Sequence, residues 1–196
     1  ATKPAPVQVS WLGYPCTTGL DTIDYRLTDT IADPAGHEKY YTEKLYRLPE
    51  GFLCYQPPQA SSDTVPPPSL EAGHPVFGSF NMLSKVTPEV VEVWADILKT
   101  VPDSCLLMKN NSFRDQWTAE HYLELFERHG ADSQRIEIIP WVSSLRAHLD
   151  LYKRIDIALD TFPYNGTTTT FEALWMGVPV ITLAGDRHAG RVGASL

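Results

Sequence analysis

From residue 74 onward, short apolar runs alternate with longer segments whose apolar residues recur at helical spacing. The apolar runs predict strands at residues 75–80, 105–108, 135–139, 155–160 and 180–183. The longer segments predict helices, and Thr87-Pro88 before one of them is a typical helix start, with Thr as the cap and Pro at the first helical position. This alternation predicts an α/β fold with a Rossmann-like, doubly wound parallel sheet.

The first part of the chain has a weaker pattern. Residues 7–12, 24–28, 45–48 and 52–55 predict short strands. Five prolines then fall between residues 57 and 68 among Ser and Ala, which predicts an extended linker without ladder donors. The chain therefore divides into three predicted segments. These are residues 1–56, a proline-rich linker at 57–73, and a Rossmann-like domain at 74–196.

Composition narrows the function further. The 196 residues carry a net charge of -8 without a basic cluster, which argues against nucleic acid as a partner. The three cysteines form no C-x-x-C motif, so we expect a reducing, cytoplasmic compartment and no zinc site. No apolar run reaches the ~18 residues of a membrane span, so no membrane partner is expected. Because the chain starts at Ala1 and stops in an incipient helix, we expect a piece of a longer protein.

The most informative stretch runs from residue 155 to residue 183 and predicts strand, turn, helix and strand. Asn165-Gly166 is a strong turn dipeptide, and four threonines follow at the start of the helix. A helix that starts there presents backbone N–H groups and its positive dipole end to an anion. Glu172 lies one turn further in, where a carboxylate suits sugar hydroxyls. The pattern alone allows a nucleotide diphosphate site or an ordinary strand–helix turn with threonine caps.

The amino-acid sequences of three segments resemble those of the O-GlcNAc transferases, in particular their bacterial, SPINDLY-like branch. Residues 160–196 read DTFPYNGTTTTFEALWMGVPVITLAGDRHAGRVGASL and resemble the nucleotide-sugar site of that family. VQVSWLGYPCTTGLDTIDYRLTD at residues 7–29, with YYTEKLYRLP at 40–49, is similar to the end of its first catalytic half. GSFNMLSKVTP at residues 78–88 is similar to the opening of the second half. The resemblance implies the C-terminal half of a GT-B glycosyltransferase, cut short at its C-terminus and preceded by the end of the N-terminal half.

The resemblance also implies roles for individual residues. Lys85 matches a lysine that contacts the diphosphate leaving group, and we expect it to be catalytic because it neutralises that charge. His148 matches a residue that packs near the nucleobase, and Glu172 replaces an Asp expected on the ribose. The predicted substrate-binding set is His148, Asn165, Gly166, Thr167, Thr168, Thr169 and Glu172.

Several positions depart from the family pattern or leave alternatives open. Met82 stands where the animal enzymes have Gln, and Thr167 stands where they have His. Asp186, His188 and Arg191 follow the last predicted strand. They either touch the sugar or the other half of the enzyme, or belong to a capped helix with solvated charges.

The implied reaction is inverting transfer of GlcNAc from UDP-GlcNAc to Ser or Thr of a protein, without metal or other cofactor. The family places tetratricopeptide repeats and most of the first catalytic half upstream, together with its histidines near the acceptor. We therefore expect the isolated chain to bind nucleotide without turnover. The open alternatives are a SPINDLY-type O-fucosyltransferase that uses GDP-fucose and a non-catalytic nucleotide-binding or interaction domain.

Overall fold

The computed structural model describes residues 2–59 and 63–196. It is an α/β structure with two parallel sheets. Contacts group the chain into two compact units. The first unit comprises Ala1–Tyr55, Pro163–Asn165 and Leu183–Leu196. The second unit comprises Gln56–Phe162 and Gly166–Thr182.

The elements are named in chain order. The strands are β1 (Val9–Ser10), β2 (Tyr25–Asp29), β3 (Lys44–Leu48), β4 (Val76–Ser79), β5 (Cys105–Lys109), β6 (Ile136–Ile139), β7 (Ile157–Leu159) and β8 (Val180–Ile181). The α-helices are α1 (Ser69–Ala72), α2 (Pro88–Thr100), α3 (Gln116–Arg128), α4 (Leu145–Asp150), α5 (Thr168–Trp175) and α6 (Val192–Ser195). The 3₁₀ turns are His37–Tyr40, Leu83–Lys85, Asn111–Arg114, Ser133–Arg135, Leu151–Arg154 and His188–Gly190. Within the described residues no helix is long and apolar enough to cross a membrane.

The second unit contains the predicted doubly wound sheet. Its strand order is β6-β5-β4-β7-β8, and all neighbours are parallel. The chain switches direction across the sheet between β4 and β7, which are neighbours although β5 and β6 lie between them in sequence. Ligands of such sheets bind beyond the carboxyl ends of the strands at this switch point.

Helix starts in this unit follow the side-chain caps. Thr87 accepts the backbone N–H of Val90, as the sequence predicts, and Ser144 accepts that of Ala147. Helix α3 begins at Gln116, because Asp115 is the cap and accepts the N–H of Thr118 at 2.9 Å.

The predicted linker contains more structure than expected. Its residues Ser69–Ala72 form α1, and the Ser69 N–H donates to Asp156 Oδ1 at 3.0 Å. Residues 60–62 of the linker lie outside the described residues. The three-segment division of the chain stays a prediction, although the contacts place residues 183–196 with the first sheet and not with the second.

The first unit contains the sheet β1-β2-β3, which is also parallel. The strand predicted at residues 7–12 shrinks to Val9–Ser10. Residues 52–55 do not form the predicted strand. The N–H of buried Phe52 donates to the Asp29 carboxylate at 3.2 Å, so this backbone is held by a side chain and not by a ladder.

A buried row of polar side chains connects the last residues of the chain to the first sheet within this unit. Arg26, Asp33 and His188 are 1, 0 and 4% exposed. Arg26 Nη2 and His188 Nε2 lie 3.1 Å apart, and His188 Nδ1 lies 2.7 Å from Asp33 Oδ2. A guanidinium group only donates hydrogen bonds, and an ionised carboxylate only accepts them. His188 Nε2 therefore accepts from Arg26, and the His188 Nδ1–H donates to Asp33.

Asp33 is the acceptor on which this row converges. Its Oδ1 accepts from the Tyr41 hydroxyl at 2.9 Å, and Thr28 donates to Oδ2. Burial raises the pKa of Asp33, but the hydrogen bonds from His188, Thr28 and Tyr41 lower it by a larger amount. The pKa therefore lies well below its usual range. The alternative of solvated charges after the last strand is therefore wrong for His188.

Glu43 organises the loop between β1 and β2 in a similar way. Its buried carboxylate accepts from the Thr18 N–H at 2.6 Å, from the Thr17 hydroxyl at 2.7 Å and from the Thr18 hydroxyl. Burial raises the pKa of Glu43, while the Thr18 and Thr17 hydrogen bonds lower it more strongly, to about 2.

Replacing His188 with Ala is expected to lower the free energy of unfolding by about 3 kcal/mol, because buried Arg26 and Asp33 lose the side chain that joins them. Urea denaturation measures this loss, and amide hydrogen exchange of β2 locates it in the first unit. The matched control is His129→Ala, at the end of α3. Equal stability of the two variants would contradict the role of His188.

The Thr17–Thr18 loop is expected to loosen in acid. A carboxyl whose folded pKa is depressed adds stability above its unfolded pKa and loses it as pH falls through the folded pKa. The loss should therefore run from the ordinary value of 4.5 down to about 2. The pH dependence of Thr18 amide exchange measures it. Glu43→Gln should remove that dependence, and an unchanged profile would contradict the assignment.

Candidate functional site

Two loops meet at the carboxyl ends of β4 and β7 in the second unit. These strands pair directly, with Phe77 opposite Ile157 and Gly78 opposite Ala158. The loop after β4 therefore runs beside the turn that leads from β7 into α5. The two loops carry most of the predicted phosphate-binding residues.

Asp160 is the residue around which the β7–α5 turn is built. Its carboxylate is buried, with Oδ1 accepting the N–H groups of Thr161 at 2.8 Å and Gly166 at 2.6 Å. Its Oδ2 accepts the Thr182 hydroxyl at 2.8 Å. From the sequence, Asp160 is predicted only as the end of a strand, and this role is missed. The available signal was a carboxylate directly between a buried apolar strand and an Asn-Gly turn.

Gly166 is packed too closely for any side chain. A Cβ there would lie 2.6 Å from Thr169 Oγ1, 2.7 Å from Asn81 Oδ1 and 3.0 Å from Asp160 Oδ1. Such distances are far inside van der Waals contact. The turn predicted from Asn165-Gly166 thus needs Gly because three polar groups surround the position.

The threonines lie at the start of α5, as predicted, but only partly as caps. The helix begins at Thr168, and in the described part of the chain the Thr167 side chain makes no capping hydrogen bond. Thr169 Oγ1 donates to Asn81 Oδ1 at 2.8 Å, which connects the helix start to the loop after β4. Thr168 is exposed. The first N–H groups of the helix, which no intrahelical bond can satisfy, point out of this end.

Lys85 lies in the 3₁₀ turn Leu83–Lys85 that follows β4. Its side chain is half-buried, and burial lowers the pKa of its ammonium group while the charge of Asp160 acts in the opposite direction. The structure therefore brings the predicted catalytic cation to the same end of the sheet as the start of α5.

His148 and Glu172 contact each other. His148 Nε2 lies 3.0 Å from Glu172 Oε2, and the Tyr152 hydroxyl donates to the same oxygen at 3.1 Å. An ionised carboxylate only accepts, so Nε2 carries the proton. His148 Nδ1 is buried and has no partner among the residues that the structure describes. Glu172, predicted to face sugar hydroxyls, is itself buried. The nucleobase and ribose roles of this pair stay predictions.

A cleft of about 490 Å³ opens between the ends of β4 and β5, within the size range of ligand pockets. Lys109 at the end of β5 lines it, and burial lowers the pKa of this lysine while the charge of Glu172 raises it. Lys109 is not among the site residues predicted from the sequence. The cleft is lined by Phe80, Met82, Leu83, Ser84, Lys109, Asn110, Asn111 and Ser112.

Asn165 belongs to the first unit and is fully buried there. Its N–H donates to the Ala189 carbonyl at 2.9 Å, and its Oδ1 accepts the Gly193 N–H at 3.2 Å. Asn165 thus holds the residues that follow β8, and its predicted substrate contact stays untested. Arg191 donates to the carbonyls of Ile31 and Gly185, while Asp186 is solvated.

Within residues 2–59 and 63–196, no group of three or more His, Cys, Asp or Glu side chains is arranged to hold an ion. The acidic groups nearest the candidate site, Asp160 and Glu172, accept hydrogen bonds from protein donors.

The chain is similar in sequence to proteins of a known family. A protein of Petunia hybrida described as a probable UDP-N-acetylglucosamine–peptide N-acetylglucosaminyltransferase SPINDLY is 48% identical over the whole chain, which spans 21% of that protein. A protein of the same description from Arabidopsis thaliana is also 48% identical, with the same coverage.

A solved structure agrees with these sequence matches. The K341M mutant of the Thermobaculum terrenum O-GlcNAc transferase superimposes with a TM-score of 0.92 and 41% identity, over 98% of this chain and 36% of that one. The model of glycosyl transferase family 41 matches residues 1–58 and 69–196. The predicted α/β fold of the GT-B type is confirmed, and the chain belongs to glycosyl transferase family 41.

Proposed function

We propose that this chain forms the donor-binding part of a protein O-GlcNAc transferase that moves GlcNAc from UDP-GlcNAc to Ser or Thr of proteins. The observation that carries the proposal is that the turn with Lys85 follows β4 and the Gly166 turn and the start of α5 follow β7, so that all three lie at the switch point between these two strands. A half-buried ammonium group at the same end of the sheet as N–H groups without an intrahelical acceptor is suited to a diphosphate.

In the proposed mechanism the leaving diphosphate is stabilised by protein groups and not by a metal ion. Lys85 neutralises charge as the glycosidic bond breaks, and Thr168 and Thr169 hold phosphate oxygens through their backbone N–H groups and the exposed Thr168 hydroxyl. His148 packs against Phe80, which lines the cleft at the ends of β4 and β5 where the nucleoside would bind. Attack by the acceptor hydroxyl on the opposite face of the sugar gives inversion.

The acceptor side lies in other parts of the proposed enzyme. A protein acceptor with Ser or Thr, the remainder of the first catalytic half and an upstream tetratricopeptide region are the partners that the proposal requires. The free thiols of Cys16, Cys54 and Cys105 favour a cytoplasmic compartment.

Calorimetric titration with UDP, GDP and UDP-GlcNAc, with and without Mg²⁺, tests the donor. We expect metal-independent binding that prefers UDP and no transfer to a peptide by the isolated 196 residues. Preference for GDP would replace the proposal with a fucosyltransferase.

Lys85→Ala combined with Thr168→Ala should lower UDP affinity about 10- to 100-fold, because charge-assisted contacts are lost. Unchanged affinity with an intact fold would favour a non-catalytic interaction domain.

Gly166→Ala is expected to lower the free energy of unfolding by about 1–3 kcal/mol, because the new methyl group overpacks three polar atoms. UDP affinity should fall at least about tenfold, since the displaced groups include Thr169 at the start of α5. Thermal unfolding and calorimetry measure the two effects. The matched control is Gly13→Ala, where an added Cβ meets nothing within 4 Å. Equal behaviour of the two variants would contradict the packing argument.

A further inference from the structure

Glu172 lies on α5, one turn after the threonines of the candidate diphosphate site, and is only 8% exposed. A single oxygen of its carboxylate, Oε2, is the acceptor for two side chains. His148 Nε2 lies 3.0 Å from it, and the Tyr152 hydroxyl lies 3.1 Å from it. A buried oxygen that serves two donors is held in place, because its displacement would leave both donors unsatisfied.

The imidazole ring of His148 is held at a cost. Because Nε2 carries the proton that Glu172 accepts, Nδ1 carries a lone pair, and this buried atom has no partner among the residues that the structure describes. Phe80 and Tyr152 pack on the ring, each with centroids 5.7 Å from it. Such packing does not distinguish the two ring nitrogens. The hydrogen bond to Glu172 therefore selects the orientation of the ring.

Tyr152 and Phe80 connect this hydrogen bond to both parts of the candidate site. The Tyr152 hydroxyl lies 3.2 Å from the Thr169 carbonyl oxygen in the first turn of α5, as well as 3.1 Å from Glu172. The rings of Tyr152 and Phe80 are 4.5 Å apart, and Phe80 lines the cleft of about 490 Å³. A continuous set of contacts thus leads from Glu172 through His148 to the wall of the cleft.

We propose that Glu172 is a positioning residue for the nucleoside of the donor, which it affects by orienting His148 and not by contact with the ribose. This inference rests on the function proposed above for the same site. The resemblance to the family predicts a ribose contact at this position, but from an Asp. An Asp side chain is one methylene shorter and would not reach His148 from the same backbone position. The greater length of Glu172 thus favours the positioning role.

Two substitutions separate the positioning role from a ribose contact. Glu172→Asp keeps the charge and loses the reach to His148, whereas Glu172→Gln keeps the length and an oxygen that can accept from His148. UDP affinity should fall about tenfold in Glu172→Asp and no more than about threefold in Glu172→Gln. A ribose contact predicts instead that Glu172→Asp keeps its affinity. The matched control is Glu92→Gln on the exposed face of α2, which should change nothing.

NMR of the histidine rings in the free chain tests the orientation without any donor. The His148 Nε2–H should be protected from exchange with water in the wild-type chain and in Glu172→Gln, because its acceptor is kept. In Glu172→Asp this protection should be lost. A loss of UDP affinity without a loss of protection would overturn the proposal, because Glu172 would then not act through His148.

A double-mutant cycle tests the same point in the bound state. In a His148→Phe background, Glu172→Asp should cost little further UDP affinity, because no ring N–H remains to be held. The ratios of UDP affinity to the affinities of 2′-deoxy-UDP and 3′-deoxy-UDP should be equal in the wild-type chain and in Glu172→Asp. A changed ratio would show a direct ribose contact and overturn the positioning role, as would unchanged UDP affinity in Glu172→Asp. Failure of the wild-type chain to bind UDP would instead contradict the proposed donor function itself.

Discussion

An added Cβ at Gly166 would lie within 2.6 to 3.0 Å of Thr169, Asn81 and Asp160, so only glycine fits at this position. The β7–α5 turn of the second unit depends on this close packing. The backbone at Gly166 can approach the Asp160 carboxylate only because no side chain intervenes, and the short N–H···O contact follows from that approach. Once the turn is closed, α5 must start where its first N–H groups face the loop after β4. The position of Lys85 in that loop then has functional meaning.

Both units use a buried carboxylate as the acceptor on which distant segments converge. Asp160 connects the β7–α5 turn to Thr182, while Asp33 connects β2 and the following turn to His188 near the end of the chain. A hydrogen-bonded carboxylate satisfies several donors at once and tolerates little displacement, since each unsatisfied partner would be costly in a buried place. Local sequence alone therefore does not specify these turns, because Thr182 and His188 reach the two carboxylates from distant segments.

The strand–helix alternation from residue 74 and the threonine-rich helix start were predictable because both depend on short-range pattern. Apolar runs, caps and turn dipeptides act over a few residues, and the five parallel strands appear where the runs are. Two of the failures share one cause. The segment at 52–55 is held by Asp29, and His188 is buried against Asp33, so in each case a residue far along the chain overrode the local preference.

The candidate site likewise contains residues that the sequence predicts and contacts that only the structure shows. Lys85, the threonines and the Asn165-Gly166 turn can be selected from the sequence, because their residue types suit a diphosphate and their order resembles that of a known family. The contacts of His148 with Glu172 and of Asp160 with Thr182 cannot be selected so, since they depend on how α4 packs on α5 and how β7 pairs with β8. The sequence by itself determined the class of fold, the family and the candidate anion-binding residues, because local pattern and residue type encode them. Only the tertiary structure decided which buried charges face each other, because electrostatic contacts depend on distances across the sheet that no periodicity records.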